Sequence, residues 1–277
     1  MKKSHISKFI LSFAFIILSL ACFGGVYLQN TSLQNNDNIY AEDTIEIKDQ
    51  TGLAEIAKNV NNKNEEKRNT YEGQTIYLKN DIDLSGKVWT PIGTKETPFK
   101  GTFDGRGFTI HGLTITSELL PSLSYVGLFG YTNGAIIRNV TLDLINIDYS
   151  GSTSVGGLVG TGVNTKIYDC ATYGSVKGSG NIGGIVGSLT GGNYSTLSHS
   201  YSYAKVEHVS SSNSLGGLVG SYTVRRVLIS STGGRPRWTI FTGTISNSFF
   251  AGITSTNYSG LYASGSAKVS NVYTINC

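Results

Sequence analysis

The sequence predicts an all-β protein built as a parallel β-helix, a solenoid of stacked coils, with a short capping helix at its N-terminal end. Composition is the first reason: the 277 residues include 35 glycines and 16 tyrosines, and only 14% are charged. Gly, Ser, Thr, Asn, Val, Ile and Tyr are residues of turns and strands. The second reason is an internal repeat, because periods of about 20 to 50 residues indicate solenoids, propellers or arrays.

The repeat consists of two motifs. The first ends in glycine and occurs at 126–130, 155–160, 182–187 and 215–220, and more weakly at 258–263. The second follows each copy, at 137–140, 167–170, 197–200, 245–248 and 269–272. A four-stranded propeller blade needs about 40 residues, so the closely spaced copies fit one β-helix coil of three short strands better. We expect Val and Ile to point inward, Asn and Asp to occupy corners, and Tyr to face outward or to lie at the rim.

The sequence GTFDGRGFTIHGL at 101–113 precedes four copies of the first motif. In this combination the chain resembles the GLUG-motif proteins of bacterial cell surfaces over about 44–277. Related repeats occur upstream of the catalytic part in some surface metalloproteases that cleave immunoglobulin A. The resemblance implies a right-handed parallel β-helix displayed at the cell surface. It supplies no catalytic residues to carry over.

Segment 1–41 has the layout of a signal peptide, with lysines ahead of an apolar run at 9–23 and a polar stretch behind it. We expect cleavage after Ala41, with Ala21 as the second possible site; an uncleaved anchor extending to Leu28 is the alternative. The protein is therefore expected to be secreted or extracellular, to associate with the cell surface, and to meet a membrane only through this segment.

Removing the signal segment leaves a nearly neutral chain. The full sequence has 22 basic and 18 acidic residues, and three lysines and one aspartate lie in 1–41, which leaves 19 against 17. A net charge of +2 gives no support to nucleic acid or an anionic membrane as the main partner.

The predicted cap and first coil occupy 42–100. A strand is expected at 44–47 and an amphipathic helix at 51–61, with Thr51 as its N-cap. Such a helix would cover the core that an end coil exposes. Strand-like runs at 75–84 and 89–92 complete the first coil. The buried face of the helix is predicted to consist of Leu53, Ile56, Ala57 and Val60.

The repeat region occupies 101–277. Because the sequence stops at Cys277 inside what resembles a fifth repeat, we expect the parent protein to be longer. Cys277 and Cys170 lie about three coils apart, roughly 14 Å at ~4.8 Å per stacked strand, which is too far for a disulfide. The spacing of Cys and His also gives no zinc site.

Residues suited to catalysis are few and dispersed. Asp104 and Arg106 are better explained as turn residues than as an acid–base couple. The histidines His111, His199 and His208 form no HExxH motif, so the helical ligand pair of a metalloprotease is missing. We expect no catalytic residues, no metal and no cofactor.

An insertion at 221–243 is the most distinctive segment. The equivalent stretches of earlier repeats have five and eight residues, at 161–165 and 188–195, whereas this one has 23. Insertions in repeat proteins form loops on one face, often the binding face, and arginines beside aromatic residues suit sugars or acidic glycans; a simple mobile loop is the alternative. The ligand-binding candidates are Arg225, Arg226, Arg235, Arg237, Trp238 and Phe241.

Tyrosines recur near the predicted corners. They form either an outward aromatic stripe that binds glycan or protein, or a simple cover for a β-surface. The residues concerned are Tyr125, Tyr131, Tyr149, Tyr168, Tyr173, Tyr194, Tyr201, Tyr203 and Tyr222.

The preferred function is a non-catalytic secreted or cell-surface module, an adhesin or stalk that binds a host or cell-surface glycan or protein. One alternative is the upstream, non-catalytic part of a larger surface protease. Another is a carbohydrate-active β-helix enzyme, a polysaccharide lyase or hydrolase. Its site would need Asp143 and Asp148, which are expected on opposite faces of a strand, together with Asp104, Asp169 and the arginine-rich insertion.

Overall fold

The computed structural model describes residues 44–191, 194–209, 214–223, 225–230, 237–241, 243–254, 262–265 and 267–274, with the backbone alone at 225–230, 237–241 and 262–265. The predicted signal segment, Arg235 and Cys277 lie outside these residues. Short parallel strands stack into a β-solenoid of about six turns, with one short helix near the N-terminal end. The predicted all-β, parallel β-helix fold is confirmed.

Strand bounds follow the repeat. The described residues form β1 (Thr44–Ile47), β2 (Thr75–Leu78), β3 (Ile82–Asp83), β4 (Thr102–Asp104), β5 (Thr109–His111), β6 (Thr114–Thr116), β7 (Tyr125–Val126), β8 (Phe129–Asn133), β9 (Ile136–Arg138), β10 (Thr141–Tyr149), β11 (Ser154–Gly156), β12 (Val159–Val163), β13 (Lys166–Tyr168), β14 (Ala171–Gly178), β15 (Asn181–Gly183), β16 (Val186–Thr190), β17 (Thr196–Ser198), β18 (Tyr201–Ser202), β19 (Lys205–His208), β20 (Leu215–Gly216), β21 (Val219–Thr223), β22 (Arg225–Ser230), β23 (Arg237–Phe241), β24 (Thr244–Phe250), β25 (Tyr262–Gly265) and β26 (Lys268–Thr274).

Equivalent strands of successive coils pair in parallel and form five ladders. Ladder one contains β1, β2, β4, β9, β13, β17 and the starts of β24 and β26. Ladder two runs through β3, β5, β18, the starts of β10 and β14 and the ends of β24 and β26, and ladder three through β6, β19 and the ends of β10 and β14. Ladder four contains β7, β11, β15 and β20, and ladder five contains β8, β12, β16, β21 and β25.

The core is a set of apolar columns, because in-register parallel pairing places equivalent side chains above one another. Val and Ile point inward as predicted. In ladder one the inward column has no solvent exposure from the second coil level to the seventh. This column consists of Ile76, Phe103, Ile137, Ile167, Leu197 and Ile245.

The paired glycines of the first motif are needed for close approach between backbones. A Cβ at Gly156 would lie 2.2 Å from the Val159 carbonyl oxygen, and one at Gly157 would lie 2.4 Å from the Gly184 carbonyl oxygen. Neither glycine has a positive φ, so it is the missing side chain, and not an unusual conformation, that the position requires.

The cap differs in detail from the prediction. Helix α1 spans Gln50–Val60, and its N-cap is Asp49, whose carboxylate accepts hydrogen bonds from the Thr51 and Gly52 amides. The predicted N-cap Thr51 was therefore wrong, because an aspartate preceding the first helical residue already satisfies these donors. The predicted buried face of α1 is confirmed. A 3-10 helix follows at Glu65–Lys67, and no described helix is long and apolar enough to span a membrane.

The first coil is also less regular than predicted. Segment 75–84 contains the two strands β2 and β3, whereas 89–92 forms no strand. Ile92 makes an isolated parallel bridge to Phe129, and the buried Trp89 indole donates from Nε1 to the Leu128 carbonyl at 3.1 Å. Packing against the next coil, and not ladder pairing, holds this segment.

In the five copies of the second motif, ladder one turns into ladder two through the same kind of corner, which we call the constant corner; the connections of the preceding coils are longer, at 79–81 and 105–108. Each turn uses one residue with φ between 46° and 54°, and Asn and Asp tolerate this left-handed conformation better than most residues. The predicted placement of Asn and Asp at corners is confirmed here. The residues are Asn139, Asp169, His199, Asn247 and Asn271.

Candidate functional site

The corner between ladder five and ladder one varies in length, and we call it the variable corner. Two residues connect the ladders at 134–135 and again at 164–165. Five residues connect them at 191–195 and twenty at 224–243, before two suffice at 266–267. The coils above and below keep their pairing in both ladders, so the extra residues leave the solenoid at one place on its circumference.

The predicted insertion contains a two-stranded antiparallel hairpin formed by β22 and β23. Arg225 pairs in register with Phe241, Arg226 with Ile240, and Leu228 with Trp238, with a register shift between Leu228 and Ser230. Arg237 is the first residue of β23, and Arg235 lies outside the described residues. The hairpin brings five of the six candidate residues into two adjacent strands, and their role in ligand binding stays a prediction.

Tyr222 anchors the base of the insertion. Its ring is fully buried, and its hydroxyl donates to the Ser195 carbonyl oxygen at 2.9 Å. Burial raises the pKa of Tyr222 to about 12. Gly243 lies directly over this ring, because a Cβ at Gly243 would overlap the Tyr222 hydroxyl. The prediction that Tyr222 faces outward or lies at the rim was wrong, because Tyr222 is in register with the buried Leu189 and so occupies an inward position of ladder five.

Hydroxyl groups continue the same anchor through the preceding coils. Thr132 and Thr165 are buried, and their Oγ1 atoms are 2.8 Å apart. Thr165 Oγ1 also donates to the Val163 carbonyl at 3.0 Å, and the buried Ser195 Oγ donates to the Thr190 carbonyl. Each buried hydroxyl thus has a partner, which is the condition for a rigid polar network. The variable corner therefore rests on a fixed base.

A cavity of about 400 Å³ opens beside this corner. It is lined by Gly134, Ala135, Ile136, Asn164, Lys166 and Tyr194. The sequence indicated Tyr194 but not Asn164 and Lys166, which lie almost one full coil before it. The unequal corner lengths were the sequence signal that would have found them.

Asp104 is held in a structural network. Its Oδ2 accepts from Arg138 Nε at 2.9 Å, and its Oδ1 accepts from Asn139 Nδ2 at 2.9 Å and from the Arg106 amide at 2.8 Å. Burial raises the pKa of Asp104, but these hydrogen bonds and the Arg138 charge outweigh burial and keep it below its ordinary value. The Arg106 guanidinium lies 3.6 Å from the centre of the Tyr77 ring. These contacts support the prediction that Asp104 and Arg106 form a turn.

Asp143 and Asp148 both lie at the outer surface, so the expectation of opposite strand faces was wrong. The reason is Leu144, whose φ of 53° and register shift reset the alternation of β10. Asp143 Oδ2 lies 3.3 Å from His111 Nδ1, and Asp148 Oδ2 accepts from Lys177 Nζ at 2.8 Å. The two carboxylates thus face different partners on different ladders. In the described part of the chain, no group of three or more His, Cys, Asp or Glu residues is placed to hold a metal ion.

The tyrosines do not form one stripe. Tyr149 is buried, contrary to the prediction, because it continues the inward alternation of Ile145 and Ile147 in β10, and its hydroxyl bonds to the loop at 120–123. An outer aromatic cluster does exist on ladder two, where Tyr173 stacks on Tyr203 with ring centres 5.1 Å apart and Tyr201 stacks on Phe249 at 5.0 Å. Because these rings stack on one another, part of their faces is already covered.

Cys170 is a free, buried cysteine. Burial raises the pKa of its thiol to about 12, so the reactive thiolate is strongly disfavoured. The predicted lack of a disulfide to Cys277 stays a prediction, since Cys277 is outside the described residues.

Comparisons with curated proteins found partial sequence matches. No protein-family model matches the chain. It is 32% identical over 138 residues to Halomucin from Haloquadratum walsbyi, which is 45% of this chain and 2% of that protein. It is 32% identical over 105 residues to a "putative Gly-rich membrane protein" from Evansella cellulosilytica, which is 35% of this chain and 12% of that protein. The chain thus matches only a small part of the length of each curated relative.

A solved structure shares the fold. The crystal structure of a "putative immunoglobulin A1 protease" from Bacteroides ovatus superposes with a TM-score of 0.52 at 21% identity, over 83% of this chain and 74% of that chain. At this identity the similarity establishes the fold alone. It agrees with the predicted resemblance to β-helices of surface-protease type, while membership of the GLUG-motif proteins stays a prediction.

Proposed function

We propose that the chain is a non-catalytic, extracellular β-solenoid module, an adhesin or stalk at the cell surface, which binds a glycan or a protein through its variable corner. The observation that carries the proposal is the growth of this corner from two residues to twenty while the ladders on either side keep their register. In repeat proteins, insertions on one face are often the binding face.

The chemistry of the insertion supports ligand binding. The hairpin places Arg225, Arg226 and Arg237 within two paired strands that also contain Trp238 and Phe241. Guanidinium groups bind carboxylates and sulfates through paired hydrogen bonds, and aromatic rings pack against sugar faces. Tyr222 and Gly243 give this hairpin a buried base.

The state of the carboxylates supports a non-catalytic role. Asp104, Asp143 and Asp148 are each within 3.3 Å of a nitrogen atom of Arg138, His111 or Lys177. A glycosidase needs two carboxyl groups facing one sugar-binding groove. An extracellular location is supported by the relatives, one of which is named a mucin and another a membrane protein.

A second candidate is the solenoid part of a larger surface protease. It is favoured by the similarity to the Bacteroides ovatus structure. In that role the module would bind the protein that the protease cleaves, so immunoglobulin A1 belongs among the ligands tested.

The test is a binding screen of the purified chain against glycans, matrix proteins and immunoglobulin A1. The comparison is a variant in which 225–241 is replaced by a short Gly-Ser linker, and the control is Asp169→Asn at the constant corner. We expect ligands that bind the chain and the control but lose most binding to the trimmed variant. Equal binding by the trimmed variant, or binding by none of the three, would contradict the proposal.

A further inference from the structure

We infer that the cavity beside the variable corner binds one carboxylated sugar residue of an anionic polysaccharide. This inference rests on the proposed function and names the ligand class for the same corner. It depends on two exposed residues of the cavity lining, Lys166 and Tyr194, and on the distribution of charge along the chain.

The size and setting of the cavity suit a sugar. Its volume of about 400 Å³ is at the lower end of the range for small-molecule sites. Part of the lining comes from the turn between β8 and β9 and the first residue of β9, at 134–136, and the other lining residues come from the next two turns of the same corner. A site that spans successive coils along the solenoid axis can hold one sugar residue of a polysaccharide whose other residues extend beyond the site.

Lys166 supplies the cation. It is exposed, and no ion pair joins it to an acidic group in the described part of the chain. It stands at the outward position of ladder one, in register with Ile136 on one side and Thr196 on the other. An ammonium group with no acidic neighbour in its own ladder is free to bind a ligand carboxylate through a charge-assisted hydrogen bond.

Tyr194 supplies an aromatic face. Its side chain is 62% exposed, and among the described residues no other ring contacts it. This distinguishes Tyr194 from Tyr173, Tyr201 and Tyr203, whose rings stack or meet edge to face within the ladder-two cluster. An uncovered tyrosine ring beside a cation can pack against the apolar face of a sugar while the carboxylate meets Lys166.

Asn164 belongs to the cavity lining as a structural residue. Its φ of 49° fixes the turn between β12 and β13. Its Oδ1 atom is buried against Gly191, where an added Cβ would lie 2.3 Å away. Because this oxygen is not exposed to the cavity, Asn164 shapes the corner and is not assigned a hydrogen bond to the ligand.

The charge distribution favours an anionic polymer over a neutral one. Residues 208–277 contain five basic residues and no Asp or Glu, a net charge of +5, whereas 42–207 contain 14 basic and 17 acidic residues, a net charge of −3. Four of the five basic residues lie in the insertion, which leaves the solenoid at the variable corner one coil after Tyr194. A region that carries only positive charges attracts and orients an anionic polysaccharide.

The experiment is isothermal titration of the full chain with tetragalacturonate, with sialyllactose as a second carboxylated source and cellotetraose as the neutral probe. We expect both acidic sugars, or one of them, to bind more tightly than cellotetraose. Lys166→Ala and Tyr194→Ala should each weaken this binding about tenfold or more. Two matched controls should bind as the unmodified chain does: Lys63→Ala removes an exposed lysine at the cap, and Tyr273→Ala removes a tyrosine of nearly equal exposure, 63%.

Three results would overturn the inference. They are equal binding of the neutral tetramer, no binding of either acidic sugar, or equal losses in the control variants. The screen of the trimmed variant separates the two proposals. If deleting the hairpin abolishes binding of a ligand while Lys166→Ala and Tyr194→Ala retain it, the proposed function stands and the cavity assignment falls.

Discussion

The two corners that flank ladder one follow opposite rules. At the constant corner every repeat turns on a single left-handed residue, and adjacent side chains bond along the stack: Asn271 Nδ2 donates to Asn247 Oδ1 at 2.9 Å, and Asn247 Nδ2 lies 3.0 Å from His199 Nε2. At the variable corner the connection grows from two to five to twenty residues. The strands leading into and out of both corners stay in register.

This difference shows where the solenoid tolerates change. The constant corner determines register, because one added residue would turn every following side chain to the other face. The variable corner sits on its own buried base of Thr132, Thr165, Ser195 and Tyr222, and the entropy cost of a longer loop rises only slowly with length. Structure is thus kept at one corner, and we place binding at the other.

The largest expected effect is on stability, and it differs between a glycine of the close-packed ladders and a glycine of the variable corner. Gly156→Ala places a Cβ 2.2 Å from the Val159 carbonyl and 2.6 Å from the Gly187 amide nitrogen. We expect a loss of about 3 kcal/mol in the free energy of unfolding, since neighbouring coils must separate. Gly134→Ala, at the variable corner, meets no atom within 4 Å but has a φ of 76°, so it should cost about 1 kcal/mol. Urea denaturation of both variants measures the two losses in the free energy of unfolding. Equal losses would contradict the distinction between the close-packed ladders and the variable corner.

The next effect concerns the network beside the constant corner. Asp104→Asn removes the charge that holds Arg138 and weakens the bond to Asn139, and we expect a loss of about 2 kcal/mol near neutral pH. Because the folded pKa of Asp104 is lowered, its contribution is present above the ordinary carboxyl pKa and is lost as pH falls through the folded value.

The measurement is the free energy of unfolding from neutral to acidic pH for both proteins. The curves of the unmodified chain and of Asp104→Asn should converge at acidic pH. Parallel curves would show that the carboxylate charge of Asp104 contributes nothing to stability.

A smaller effect isolates the backbone of the constant corner. Asp169 is exposed and has a φ of 54°. Asp169→Val should destabilise the fold by about 1.5 kcal/mol, because a β-branched residue is strained in this conformation. Asp169→Gly removes the same carboxylate without the strain and should be close to neutral. Thermal unfolding of the pair gives the test, and similar melting temperatures would mean that the left-handed turn is unimportant.

The smallest expected effect concerns the base of the variable corner. Tyr222→Phe removes the bond to the Ser195 carbonyl and should cost about 1 kcal/mol. Because the pKa of Tyr222 rises from 10 to about 12 on folding, the stability it contributes is present below pH 10 and is lost as the pH rises through 12. Unfolding measured between pH 8 and 11 should show a steeper decline for the unmodified chain. An identical decline in the free energy of unfolding for both proteins would show that the Tyr222 hydroxyl does not contribute to the anchor.

The repeat predicted most of the fold because each coil meets the same packing requirements as its neighbours. Spacing alone located the inward columns and the Asn and Asp corners, but it predicted three strands per coil, whereas the described strands form five ladders. It failed where one residue departs from the pattern. The left-handed Leu144 moved Asp148 to the outer surface and Tyr149 inward, where the Tyr149 hydroxyl bonds to the loop at 120–123.

The candidate site was only partly predictable. Composition identified the arginine-rich insertion, but its antiparallel pairing depends on where the strands of the hairpin meet. The cavity residues Asn164 and Lys166 lie nearly one coil away from Tyr194 in sequence, and stacking brings them together. Contacts of this kind follow from the length of each coil, which becomes clear only when every corner is aligned.

Hydrogen exchange of the full chain with and without tetragalacturonate shows whether binding is confined to the variable corner. We expect ligand-induced protection in peptides covering 163–167, 190–198 and 219–246, and unchanged exchange at the constant corner and in the ladder-two aromatic cluster. Protection centred on Tyr173, Tyr201 and Phe249, with none at the variable corner, would contradict this expectation.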